Sequence, residues 1–220
     1  MSTLLGTQSI ALIIVCLAGA ALHVYAKHFL RPFVSGAAKV VASISFVALA
    51  DVSGACDITY GRLILAALIL SLIGDVLLLS RQSSVFIFGI AAFLFAHVVF
   101  AAAFWREGID RNWLIAALGI SAVAGIFLLR WLWPHLEGFY RIAVPVYLAA
   151  IIAMTSLAIG MSIRSMPAFV GVGAAMFAVS DVFVARDRFI KPSFVNQLWG
   201  IPLYYLAQVL LALSVTAAGR

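Results

Sequence analysis

Charge is scarce in this sequence. Of its 220 residues, 10% are charged and eight are acidic, whereas soluble domains carry about 25% charged residues. With 65% hydrophobic residues and a mean hydropathy of +1.17, that shortage excludes an ordinary water-soluble fold. The two cysteines are Cys16, in the first apolar run, and Cys56, in a connection. They offer neither a disulfide framework nor a CxxC or Cys/His cluster for zinc. Of four histidines, His23, His28 and His135 fall near the ends of apolar runs and only His97 lies deep, which argues against a His-rich metal site. Walker loops, dinucleotide fingerprints, HExxH and GxSxG are missing, and the glycines sit inside apolar runs where a phosphate loop has no place. The net charge of +6 comes from basic residues scattered at the ends of those runs. That placement suits membrane anchoring and implies no nucleic-acid partner.

What the chain has in abundance is long apolar stretches. A transmembrane helix needs about 20 apolar residues, and breaks in hydropathy give eight spans near 4–26, 36–51, 62–80, 84–104, 112–133, 140–160, 166–185 and 198–218. Barrel strands are excluded, because the runs lack period-2 alternation and are too long. The expected architecture is all-α: a polytopic membrane helix bundle forming one integral domain over 1–220. The first run has no basic region before it and reads as a retained helix rather than a cleaved signal.

Lys and Arg set the expected orientation. With the N-terminus outside, the inner connections and flanks hold Lys27, Arg31, Lys39, Arg81, Arg130, Arg141, Arg186, Arg188 and Lys191, and the outer side holds Arg62, Arg106, Arg111, Arg164 and Arg220. Nine against five places both termini outside a cell membrane.

Two acidic residues lie inside spans: Asp75 in LILSLIGDVLLLS and Asp181 in AAMFAVSDVFVAR. An ionisable group at that depth costs a few kcal/mol unless paired, protonated or facing a polar cavity, so function is its default reading. Asp75 is expected about five residues, or roughly 8 Å, from the inner end of its span, with Asp181 at similar depth. Lys39, Tyr147, Tyr204, Tyr205 and Gln208 fall in the same half of their spans, and His97 lies deeper. Each has a plainer reading. A single Asp can be capped by Ser or Tyr within helix packing, Lys39 can snorkel, and His97 can bond a backbone carbonyl. Tyr204 and Tyr205 are adjacent and point in different directions, so one is expected to line a pocket and the other to join an aromatic belt. Gln208 needs hydrogen-bond partners in an apolar run. Gly171, Gly173, Ala174 and Ala175 are expected to permit close helix packing.

GDVLLLSR (74–81) resembles SDVFVAR (180–186), and FLFAHVV (93–99) resembles YYLAQVL (204–210). A four-helix unit repeated in parallel would place a site at the interface of the halves, with Asp75 and Asp181 face to face. Chance similarity in biased composition is the competing explanation.

AAKVVASISF around Lys39, LSLIGDVLLL, GIAAFLFAHVVF, RIAVPVYLAAIIAMTSLA, AMFAVSDVFVARDRF and YYLAQVLLA occur in order over roughly 37–212. This ordered set resembles the YhhN-like lysoplasmalogenase family of integral membrane hydrolases. The resemblance implies an eight-helix enzyme that cleaves the vinyl ether of lysoplasmalogens to a fatty aldehyde and a glycerophospho-ethanolamine or -choline. Carried over by motif position, Asp75, Asp181 and His97 would be catalytic, and Lys39, Tyr147, Tyr204, Tyr205 and Gln208 would bind substrate. No metal or organic cofactor is implied; the partners are a lysophospholipid and the bilayer.

The residues suit that chemistry independently. A vinyl ether hydrolyses by protonation at its β-carbon, giving an oxocarbenium ion that water captures. Glycosidases meet the same ion with two carboxyl groups. One aspartate would be the general acid and the other the base and electrostatic stabiliser, with the assignment open. Lys39 would keep one carboxylate ionised or contact the headgroup phosphate, and Tyr and Gln would hold the ether oxygen or water. The competing readings are a small proton-coupled transporter, a packing protein whose aspartates only join helices, and a zinc-dependent lipid hydrolase.

Overall fold

A computed structural model describes residues 6–80 and 82–218. Over these residues the chain forms eight α-helices: α1 (Thr7–His28), α2 (Pro32–Val52), α3 (Thr59–Leu77), α4 (Ser83–Trp105), α5 (Arg111–Leu132), α6 (Tyr140–Arg164), α7 (Ala168–Ala185) and α8 (Phe194–Ala218). One 3-10 turn, Trp133–His135, extends α5, and a π-helical turn, Arg186–Ile190, extends α7. All eight helices are long and apolar enough to cross a membrane. A helix satisfies its backbone internally, so such sequences take no other form in lipid except a closed barrel. The protein is a multi-pass membrane protein.

The helix ends follow local chemistry. Pro32 opens α2, where its missing N–H costs nothing. The Asp110 carboxylate accepts from the amides of Asn112 and Trp113 and caps α5, a contact worth about 1 kcal/mol. Gly108 turns the chain between α4 and α5 at φ +80°, a backbone state that suits glycine.

The expected spans are all present, with shifted ends. α2 begins at Pro32 rather than 36, α8 at Phe194 rather than 198, α3 ends at Leu77 rather than 80, and α6 continues to Arg164. Hydropathy registers the lipid-facing length, whereas helical hydrogen bonding continues into the polar interface, as Asn196 and Gln197 in the first turns of α8 illustrate. The expected start of the first span at residue 4, and the charges Arg81 and Arg220, lie outside the described residues.

α8 is the central helix and packs against α7, α1, α2 and α3. Its seam with α7 is close because Gly173 lacks a side chain: a Cβ there would sit 3.0 Å from the Leu210 Cβ. Gly74 admits the Phe93 ring where α3 meets α4, at a point where a Cβ would come within 2.6 Å of it. α5 differs from the rest. It leans on α6, makes no extensive seam with α4 or α7, and exposes Ile115, Ile120 and Phe127 as a lipid-facing helix should.

Candidate active site

Seven of the expected site residues gather into two clusters, one around each aspartate. Asp75 on α3 is 3% exposed. Its Oδ1 lies 3.0 Å from the Lys39 ammonium of α2. Its Oδ2 accepts from the Ser43 hydroxyl at 2.7 Å and from the Tyr204 hydroxyl of α8 at 2.7 Å. Lys39 and Ser43 are one helical turn apart and share a face, so α2 presents a cation and a hydroxyl together. Tyr205 completes the cluster: its hydroxyl lies 3.0 Å from the Ser43 Oγ and donates to the Lys39 carbonyl at 3.1 Å. The carboxylate thus has a counter-charge and two further donors, which is what a buried ion pair needs to offset desolvation.

Asp181 on α7 is held differently. Its Oδ2 accepts from the Tyr147 hydroxyl of α6 at 2.9 Å and lies 3.4 Å from the Nε2 of His97 on α4. The His97 Nδ1 is 2.6 Å from the Phe93 carbonyl. A carbonyl only accepts, so that nitrogen carries the proton and, in the neutral ring, Nε2 presents a lone pair toward Asp181. This Nε2 has no hydrogen-bond partner. Among the described residues no Lys or Arg lies within ion-pair distance of Asp181.

The carboxylates, expected to meet face to face, sit in separate hydrogen-bond clusters, and no hydrogen bond joins them among the described residues. Aromatic rings stand between: the Phe177 centroid is 4.5 Å from that of His97 and 5.4 Å from that of Tyr204, and Phe93 packs on Tyr204 at 5.9 Å. The expectation that only one of the adjacent tyrosines points into the site also gives way. Their rings sit edge to face at 4.9 Å and both hydroxyls end in the Asp75 cluster, since a phenol is long enough to converge from neighbouring positions. Gln208 is fully buried, and neither of its amide atoms has a hydrogen-bond partner.

A cavity of about 290 Å³ opens beside Asp181 between α4, α5, α6, α7 and the π-helical turn. Its wall is mostly aliphatic, including Leu128, Leu148, Ile151 and Val182, and one carboxyl, Asp181, lines it together with Tyr147. Of the expected site residues, Asp75, Lys39, His97, Tyr204, Tyr205 and Gln208 are not in the wall. Sequence reasoning passed over Ser43, the aromatic partition, and the cavity residues Arg188 and Tyr140. The spacing of Ser43 from Lys39 carried a signal; Phe177 offered none, being one apolar residue among many. Cys16 and Cys56 are free thiols, and among the described residues no three His, Cys, Asp or Glu side chains converge.

Residues 37–215 match the model of the YhhN family. The chain is 34% identical over 149 residues to a lysoplasmalogenase of Mycobacterium tuberculosis (strain CDC 1551 / Oshkosh), an alignment covering 66% of this chain and 55% of the relative. It is 31% identical over 157 residues to lysoplasmalogenase TMEM86A of Bos taurus, covering 69% of this chain and 64% of that protein. To lysoplasmalogenase TMEM86B of Sus scrofa it is 30% identical over 183 residues, covering 82% and 74%. The chain thus spans little more than half the length of the mycobacterial relative. No solved structure matches it.

Proposed function

The chain belongs to the YhhN family, and on that premise we propose that it hydrolyses the vinyl ether bond of lysoplasmalogens, releasing a fatty aldehyde and a glycerophospho-ethanolamine or -choline. The relatives named lysoplasmalogenase support the reaction class. One structural observation carries the reading: an aliphatic cavity within the membrane-spanning bundle whose wall holds a single carboxyl, joined to a phenol and an imidazole. An aliphatic wall suits the alkenyl chain, and a carboxyl beside it suits delivery of a proton to carbon.

In this reading Asp181 is the general acid. It gives its proton to the β-carbon of the vinyl ether, leaving an oxocarbenium ion on the adjacent carbon. Water attacks that carbon and passes a proton to the Asp181 carboxylate, forming a hemiacetal. On collapse Asp181 gives that proton to the departing glycerol oxygen and takes the one released by the hemiacetal hydroxyl, while His97, buried behind it at 3.4 Å, stays neutral. One water is consumed, and Asp181 returns to its starting state. Tyr147 holds the Asp181 carboxyl in place. Asp75 stays paired with Lys39 in a net-neutral ion pair, and its network anchors Tyr204, on whose ring the partition and then His97 rest.

The decisive experiment is aldehyde release from a lysoplasmalogen by the detergent-purified chain. Turnover in wild type that vanishes in Asp181→Asn is the expected result; flux of ions or solutes through liposomes without turnover would favour a carrier instead. We place the site in the cytoplasmic half of the cell membrane on the Lys and Arg bias. Cys56, exposed at the opposite end of the bundle, should then react with an impermeant maleimide from outside intact cells.

A further inference from the structure

One end of the cavity carries a charge that the proposed reaction does not use. Arg188, in the π-helical turn after α7, lines the cavity and is solvent exposed. Its guanidinium lies 4.1 Å from the Phe86 ring centroid, with a long 3.4 Å contact from Nη2 to the Ser83 Oγ. Among the described residues it has no carboxylate within ion-pair distance. The neighbouring acid, Asp187, is committed elsewhere, accepting from the Ser193 amide at 2.9 Å and the Asn196 Nδ2 at 3.0 Å. Asn196 in turn accepts from Arg186 at 2.9 Å and donates to the Lys191 carbonyl at 2.9 Å. The turn is therefore tied down by its own side chains, which point the other way and leave Arg188 facing the cavity. A π-helical turn inside or after an α-helix is itself a frequent mark of function.

Beside Arg188 stands Tyr140, the first residue of α6, packed on Phe189 at 5.1 Å and lining the same cavity. Its hydroxyl is buried and has no hydrogen-bond partner. An unneutralised guanidinium and an orphaned hydroxyl thus share one end of an otherwise aliphatic space. A guanidinium matches phosphate oxygens in shape and charge.

We propose that Arg188, with Tyr140, binds the headgroup phosphate of a single-chain lipid whose tail lies along α6 toward Thr155. This deepens the proposed function and rests on it for the identity of the tail. Two rulers support it. Tyr140 precedes Tyr147 by seven residues and Asp181 precedes Arg188 by seven, so on both walls the polar end lies about 10 Å along the helix axis from the carboxyl. In a lysoplasmalogen six bonds separate the oxygen-bearing vinyl carbon from phosphorus, about 7 Å when extended; side-chain reach covers the difference. Beyond Tyr147 the cavity continues past Ile151 and Ile152 to Thr155, about 12 Å further on, which leaves room for the tail.

The test separates the headgroup from the chemistry. Tryptophan fluorescence of the full-length protein in detergent would follow binding of a saturated single-chain alkyl-ether lipid with a phosphocholine headgroup, the matching alkylglycerol without phosphate, and inorganic phosphate. Arg188→Gln should weaken the phospholipid about 10- to 100-fold, the range of a charged hydrogen bond, and leave the alkylglycerol within about twofold. Arg188→Lys should fall between, keeping charge without the fork. Equal loss for both lipids, or no loss for either, would overturn the assignment; so would inorganic phosphate binding as tightly as the phospholipid. Arg188-dependent binding without turnover of any vinyl ether would leave this site standing and sink the hydrolase reading alone.

Discussion

The two aspartates sit on the third helix of each half in chain order and end in opposite situations. Asp75 sits on α3, the third helix of the first half, and draws its partners from α2 and α8. Asp181 sits on α7, the third helix of the second half, and draws its partners from α6 and α4. The plan is similar: Asp75 takes two partners from the preceding helix and one from the last helix of the other half, and Asp181 takes one from each. The outcome differs because α1 packs along α8 whereas α5 makes no extensive seam with α4. Closing the first half seals Asp75 in an ion pair at 3% side-chain exposure; opening the second leaves Asp181 at 13% beside a cavity. The packing of the outer helices, more than the carboxyls themselves, distinguishes a sealed ion pair from a carboxyl that borders a cavity.

The largest effect is expected at Asp181. Asp181→Asn should lower kcat about 10³-fold, within the usual range for loss of a general acid and equal to about 4 kcal/mol of barrier, while the unfolding midpoint in mixed micelles stays close to wild type. A variant that kept a tenth of the aldehyde release would remove Asp181 from the acid role.

At the other site the large effect should be on stability. Lys39→Met leaves the Asp75 charge buried without its counter-ion, which typically costs about 3–5 kcal/mol. Joining it to Asp75→Leu removes both charges and should recover most of that loss. If the double variant were no more stable than Lys39→Met alone, the pair would not be the structural element described here. Aldehyde release from the double variant reports separately on whether the pair assists the reaction.

The sequence made the eight spans legible because lipid leaves a long apolar run one economical backbone form, and it made the depth of the polar residues legible because depth is counted along the chain. Rotation about each helix axis was not legible. α3 and α4 are apolar almost all round, so no amphipathic stripe says which way Asp75 or His97 points. The partition by Phe177, the convergence of Tyr204 with Tyr205, and the exclusion of Lys39 from the cavity wall all depend on that rotation. Arg188 read as one more cytoplasmic anchor, since nothing in RDRFIKP reveals that a π-helical turn aims it back along α7.

The cavity itself offers a milder test. Ser121→Phe on α5 projects a ring into the space lined by Ser121, Leu148 and Ile152. It should raise KM about tenfold for long alkenyl chains and change it little for chains that end short of the ring. Uniform loss across chain lengths would indicate general misfolding and not a tail site.

The smallest expected effect is the most discriminating, because it compares the same atom deleted at both sites. Tyr204→Phe removes one of three donors to the Asp75 carboxylate and should cost about 1.5 kcal/mol of stability, as for a hydrogen bond to a charged group, with only a modest change in turnover. Tyr147→Phe removes the hydroxyl that holds Asp181, where the carboxyl also borders a cavity and has other ways to be solvated. Its stability cost should be smaller and its effect on kcat larger, about tenfold. The two variants should therefore cross: Tyr204→Phe lower in unfolding midpoint, Tyr147→Phe lower in turnover. If they moved both quantities in the same proportion, the distinction between a sealed pair and an open acid would fail, and the two aspartates would have to be treated as one site divided by a ring.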